Sequence, residues 1–285
     1  MSMVIDAHQH FWDPARADYP WMQGAEMAAI RRAFGPADLA PLLAENGVTA
    51  SIVVQCRSSL DETEEFLQIA GATPFVAGVV GWADLTEPSL GGCLGRLRGL
   101  PGGKKLIGIR HQVHDEPDPE WLLRPDVQRG IAAVGAAGLA YDFLVRAREL
   151  PAALETARAH PGVRFVVDHL AKPPVRDGSA DAWAEELAAI ARLPNVSCKL
   201  SGLVTEADWS GWRREELAPY LQRALDWFGP ERSLFGSDWP VCLLAADYGS
   251  VLDLLHSALD GLDEPERAAV LGGTAVRVYR LDEAA

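Results

Sequence analysis

Cysteine is scarce in this sequence. Cys56, Cys93, Cys198 and Cys242 are the only four among 285 residues, and no two are spaced as C-x-x-C. That pattern fits no zinc ribbon or disulfide framework and implies buried free thiols in a reducing compartment. Long apolar runs are missing too: no stretch approaches the roughly 18 residues needed to cross a bilayer. The opening Met1-Ser2-Met3-Val4-Ile5-Asp6 has no basic region followed by an apolar run. No secretory signal is therefore expected, and the expected location is cytoplasmic. Positive charge is short, with 26 Lys and Arg against 40 Asp and Glu, for a net charge of −14. Such a surface repels nucleic acid and anionic membranes, so neither is expected as a partner. An anionic small molecule stays possible wherever Lys and Arg gather in a cleft.

The chain has the material for a large core, with 48% hydrophobic residues and too few charged ones, 23%, for a disordered chain. Short apolar, β-branched runs alternate with longer Ala/Leu/Glu/Arg-rich stretches. Eight runs read as strands: Val4–His8, Ala50–Gln55, Phe75–Trp82, Leu106–Arg110, Ala140–Val145, Val163–Val167, Val196–Leu200 and Ser233–Gly236. Helices are expected over Pro36–Gly47, Asp61–Ala70, Leu150–His160, Trp183–Arg192, Glu215–Phe228 and Tyr248–Gly261. The segment Arg16–Ala33 falls outside this pattern. Strand–helix alternation implies a parallel sheet. Eight units in a chain of this length predict an α/β fold, a closed (β/α)8 TIM barrel forming one domain over residues 1–285.

Polar side chains fall at the C-terminal ends of these runs, the face on which barrel enzymes build their sites. Strand one ends in Asp6-Ala7-His8-Gln9-His10, strand two in Gln55-Cys56-Arg57 and strand four in Arg110-His111. Strand five carries Asp142, strand six ends in Asp168-His169-Leu170-Ala171-Lys172, strand seven in Lys199 and strand eight in Ser237-Asp238-Trp239. Period-two alternation predicts that Asp6, His8 and His10 point to one side of the strand. The two imidazoles can converge on one divalent ion, zinc by preference, with Asp238 completing the set. Asp238 can equally take a proton from water.

These segments resemble the amidohydrolase-related sugar-lactone hydrolases, which include L-fuconolactone and L-rhamnonolactone hydrolases and, more distantly, 2-pyrone-4,6-dicarboxylate lactonases. The similarity lies in Val4–Asp13, Gly108-Ile109-Arg110-His111, Asp168–Pro173, Lys199-Leu200-Ser201-Gly202 and Phe235–Pro240, in that order. It implies a metal-dependent-hydrolase barrel that opens a lactone, with His8, His10, His169 and Asp238 as the core of its site. The binuclear pattern of such barrels has a lysine on strand four and histidines on both strands five and six. Here strand four ends in Arg110-His111 and only strand six has a histidine, His169. The expectation is one divalent ion, or none.

In the resulting scheme Asp238 activates water. A metal held by His8 and His10, or without one His169, Arg110 or Lys172, stabilises the oxyanion, and His169 protonates the departing alkoxide. Trp12, Trp82 and Trp239 are expected to stack on the sugar, and Arg110, His111, Lys172 and Lys199 to bind its oxygens. Asp6 and Asp142 are read as supports, Asp142 alternatively as a partner of Arg110. Arg57 reads as a substrate donor or a loop ion pair, Gln9 as structural, and His114, His160 and His256 as surface or packing residues. Assembly is left as monomer or homo-oligomer. Two rivals remain: a zinc decarboxylase acting on an aromatic or enol acid, and a silent barrel that only binds a sugar acid. Carbon dioxide release marks the first, binding without acid production the second. A phosphoesterase or nuclease is disfavoured, because such enzymes generally use two metals.

Overall fold

A computed structural model describes residues 3–176, 178 and 180–281. The acidic residues 282–285, read as a solvated tail, lie outside that set. Eight strands run in chain order around one parallel sheet: β1 Ile5–Gln9, β2 Ala50–Val54, β3 Val76–Gly81, β4 Leu106–His111, β5 Ala140–Phe143, β6 Phe165–Val167, β7 Val196–Leu200 and β8 Ser233–Phe235. The seam between β8 and β1 closes beyond the end of β8. Asp238 N donates to His8 O at 2.8 Å and His10 N to Trp239 O at 2.7 Å.

The helices are α1 Pro36–Glu45, α2 Leu60–Ala72, α3 Leu90–Arg98, α4 Pro125–Ala136, α5 Leu150–Ala159, α6 Asp181–Ala191, α7 Arg214–Phe228, α8 Tyr248–Ala258, α9 Glu264–Ala268 and α10 Thr274–Tyr279. Their starts follow capping chemistry. Ser59 accepts from Glu62 N ahead of α2, and Asp247 from Ser250 N ahead of α8. The segment Arg16–Ala33 forms two short 3-10 turns, Pro20–Met22 and Ala25–Ile30. No described helix is long and apolar enough to cross a membrane.

Two apolar layers follow from strand alternation. The outer layer lies between sheet and helices and takes Val53, Val79, Phe143, Val167 and Cys198. The inner one holds Ile5, Ile52, Val54, Val80, Ile107, Ala140, Val166 and Leu234, and is sealed at the foot by Ala275, Val278 and Tyr279 of α10. Two residues beyond Ala140 and Val166 come Asp142 and Asp168, both fully buried. Lys199 joins them from β7, within 2.6 Å of Asp142 and 3.0 Å of Asp168. The barrel interior is thus greasy at the foot and ionic one step nearer the C-terminal ends, where the histidines sit.

Candidate active site

Four side chains meet at the C-terminal end of the barrel. His8 comes from β1, His10 from the residue just beyond its end, His169 from the turn after β6 and Asp238 from the turn after β8. The Nε2 atoms of His8 and His10 lie 3.2 Å apart. Asp238 Oδ1 is 3.3 Å from His10 Nε2, 3.8 Å from His8 Nε2 and 3.9 Å from His169 Nε2. All four residues are buried.

Backbone geometry delivers them. His169, Leu170, Ala171 and Lys172 are four consecutive left-handed residues, with φ of 53°, 53°, 56° and 51°. Asp238 is left-handed as well, at φ 57°. Non-glycine residues adopt this region only where the surroundings impose it. Gly236 makes room: a Cβ there would stand 2.7 Å from His8 Cβ and 3.1 Å from Ser201 Cβ. Gly202 does the same beside His169, at φ 65° with a would-be Cβ 2.3 Å from its Nδ1.

Hydrogen bonds then set the faces of the rings. His10 Nδ1 donates to Val54 O at 2.8 Å, which turns Nε2 toward His8 and Asp238. Ser201 Oγ lies 2.9 Å from His169 Nδ1. Burial drives His8 well below the usual histidine range; Asp168 opposes this, while Lys199 adds to it. Burial lowers His169 to about 4 despite Asp238 and Asp168. Burial alone would lift Asp238, but His169, His10 and His8 hold it below the usual carboxylate range. At neutral pH the arrangement is a carboxylate facing the neutral rings of His8 and His169.

Beneath lies an ion network. Asp168 Oδ2 accepts from Arg110 Nη1 at 2.9 Å, and its Oδ1 lies 3.0 Å from Lys199 Nζ and 3.4 Å from His8 Nδ1. Burial pushes Asp168 up, yet Lys199, His8 and Arg110 together hold it well below the carboxylate range. Arg110 also donates to Gln55 Oε1 and stands 3.2 Å from His8 Nε2.

Among the described residues two groups could hold an ion, His8–His10–Asp238 and His8–Asp168–His169. The first fits better. It offers two imidazole nitrogens and a carboxylate oxygen at separations of 3.2–3.8 Å. Tetrahedral ligands at about 2.0–2.1 Å from zinc stand roughly this far apart. Asp168 in the second group is already engaged by two cations.

A family model described as Amidohydrolase matches residues 5–281. The chain belongs to the amidohydrolase family. Relatives share its full length: a Burkholderia multivorans protein named L-fucono-1,5-lactonase is 45% identical, covering 100% of this chain and 98% of its own. A Burkholderia ambifaria protein of the same name is 43% identical, covering 99% and 97%. A crystal structure of a Burkholderia multivorans amidohydrolase with bound zinc superposes at a TM-score of 0.92, with 43% identity, over 98% of this chain and 99% of that one.

In this amidohydrolase the other expected site residues fall in separate settings. Arg110 and Lys199 lie under the histidines, with their charges turned onto Asp168 and Asp142. His111 Nδ1 accepts from Trp82 Nε1 at 3.0 Å, its Nε2 is 2.7 Å from Glu116, and its ring stacks on Trp121. Lys172 pairs with Glu206 at 3.2 Å and lines a groove of about 510 Å³ with Arg146, Arg148, Arg176 and Trp209. Trp239 is buried against Phe11 and Phe34. Trp12 donates to Ile30 O and borders a groove of about 670 Å³ with Phe11, Tyr19 and Arg57; the histidines and Asp238 do not line it.

Arg110 and Lys199, expected to bind sugar oxygens, are instead buried in ion pairs, Trp239 is buried as well, and strand alternation fails at Asp6. Asp6 does not face the same way as His8 and His10. Its carboxylate accepts from the backbone N–H groups of His8 and Ser237, from Ser237 Oγ and from the Tyr248 hydroxyl on α8. The register of β1 shifts between Asp6 and Gln9, which breaks the two-residue alternation. Asp6 still supports the site, pinning the turn that carries Asp238. Burial lifts it to about 6 even so. Asp142 pairs with Lys199 at 2.6 Å, and Arg110 goes to Asp168. Arg57 takes the loop ion pair, with Glu62 at 3.5 Å. Sequence reasoning gave no role to Asp168, Gln55, Ser201 or Tyr279. Asp168 had a signal, its strand-end position beside His169.

Proposed function

We propose that this amidohydrolase opens a sugar lactone, an aldonolactone, to the sugar acid. The observation that carries the reading is the ionised Asp238 facing the neutral rings of His8 and His169. The full-length relatives named L-fucono-1,5-lactonase support it and make that lactone the first substrate to test.

Asp238 takes a proton from a water molecule as the water oxygen attacks the lactone carbonyl. The carbonyl becomes an oxyanion, which needs donors placed in advance. With the Ser201 hydroxyl donating to Nδ1, His169 keeps its proton on Nε2 and aims it at the reacting carbonyl. A neutral ring suits that role, since it donates without first losing a proton. The ring C–O bond then breaks and the proton on Asp238 passes to the leaving alkoxide. At neutral pH the acid formed loses its own proton, so turnover acidifies the medium.

His8, His10 and Asp238 would hold a divalent ion, zinc first because an amidohydrolase relative contains it. Such an ion supplies Lewis-acid polarisation of the carbonyl and a more acidic water. Lys172 and the His111–Trp82 pair face the sugar, with Trp12 and Trp239 as packed walls. Arg110 and Lys199 hold His8 from below.

A pH-indicator assay over a panel of aldonolactones, with and without chelator, tests substrate and metal together. Acid release from at least one member is expected. Carbon dioxide evolved from an aromatic acid, with no lactone consumed, would refute the reading. Asp238→Asn should lose about 10²–10⁴-fold in kcat, the range of general-base catalysis, with little change in KM.

A further inference from the structure

α10 stands outside the strand–helix repeat and closes the foot of the barrel. Its Tyr279 is 2% exposed, and the hydroxyl donates to Asp142 Oδ2 at 2.7 Å. The same oxygen accepts from Lys199 Nζ at 2.6 Å. Lys199 Nζ lies 3.2 Å from His8 Nδ1 and 5.5 Å from the centroid of the Tyr279 ring. A continuous polar chain thus runs from the last helix to a histidine on the first strand.

His8 Nδ1 has two neighbours with opposite demands. An ammonium can only donate, so Lys199 favours a lone pair on Nδ1. Asp168 Oδ1, 3.4 Å away, favours a proton there. At the other ring nitrogen Arg110 Nη1, 3.2 Å from Nε2, can also only donate, so the His8 ring is held between two cations and Asp168, and the position of Nζ sets how closely Nδ1 is engaged. A lysine has four side-chain torsions, and Asp142 and Asp168 together fix them here. We propose that Tyr279 is a positioning residue of the active site: its hydroxyl holds Asp142, which together with Asp168 holds Lys199 against His8 Nδ1. The ring of Tyr279 seals the foot; the hydroxyl serves the site.

Tyr279→Phe separates the two, keeping the ring and removing the oxygen. The deciding measurement is the 15N spectrum of the histidine rings in chelator-treated protein, with His8 signals assigned by their loss in His8→Gln. The His8 ring nitrogens should shift in Tyr279→Phe, and kcat on an accepted aldonolactone should fall about tenfold with KM within twofold. Unmoved His8 signals overturn the proposal, whatever the rate. Should Tyr279→Phe fail to fold, Asp142→Asn is read by the same spectrum and the same criterion. The rate measurement rests on the lactone reading and the spectrum does not. A protein that opens no lactone would refute that reading and leave this test intact.

Discussion

At the scale of single residues, His169 makes a pH prediction with a definite sign. Its folded value of about 4 lies below the ordinary 6.5. Between those values the unfolded chain holds a proton that the native ring lacks, so stability rises with pH across that window. The contribution is complete above 6.5 and lost as pH falls toward 4, a span of about 3 kcal/mol. Asp6, lifted to about 6, works in the opposite sense. The test is therefore a difference: chemical unfolding of wild type and His169→Gln at pH 4 and 7, with chelator. Wild type should gain about 3 kcal/mol on the variant between the two. Gly236→Ala should cost about 1–3 kcal/mol by overpacking His8, and activity should fall further than stability requires. His8, His10, His169 and Asp238 were legible in the sequence because their chemistry shows in residue type and strand-end position. Asp168, Ser201 and Tyr279 were not, since their roles come from contacts between distant strands.

At the scale of elements, the eight strands were legible to within a few residues, since β-branched runs between helix-forming stretches leave little choice. α3, α4, α9 and α10 went unread. α3 carries Gly91, Gly92 and Gly95, which dilute helix propensity, yet its Leu90, Leu94 and Leu97 are buried. The register shift in β1 was invisible, because no glycine or proline marks it. The left-handed turn His169–Lys172 was invisible too, for it holds no glycine. Ala171→Gly should relieve one residue of that strain: the thermal midpoint is expected to hold or rise, while kcat falls as the turn loosens around His169. A clear drop in the midpoint would show that the turn is relaxed in its native form.

Over the whole molecule, the net charge of −14 works against holding the anionic product of lactone opening. The groove of Arg146, Arg148, Lys172, Arg176 and Trp209 sets four cations against one acid, Glu206, and reverses the sign locally. Product inhibition by the sugar acid should weaken at about 1 M salt, where screening acts over about 3 Å. Arg146→Glu should weaken it at low salt. Product inhibition unaffected by either change would detach this groove from the reaction.

The seal at the foot of the barrel also has a consequence in time. Every residue of the His8–His10–His169–Asp238 set has been translated by the end of the turn after β8, yet Tyr279 comes later still. A nascent chain that has finished these four side chains has an open floor, with Asp142 and Lys199 reachable by water from below. The first strand waits on the last helix, so maturation of the site is expected to track the emergence of α10. For protein engineering, this places a split between β8 and α10 among the cuts that a complementing fragment could repair. Adding that fragment back in trans would restore the rate only as the floor closes.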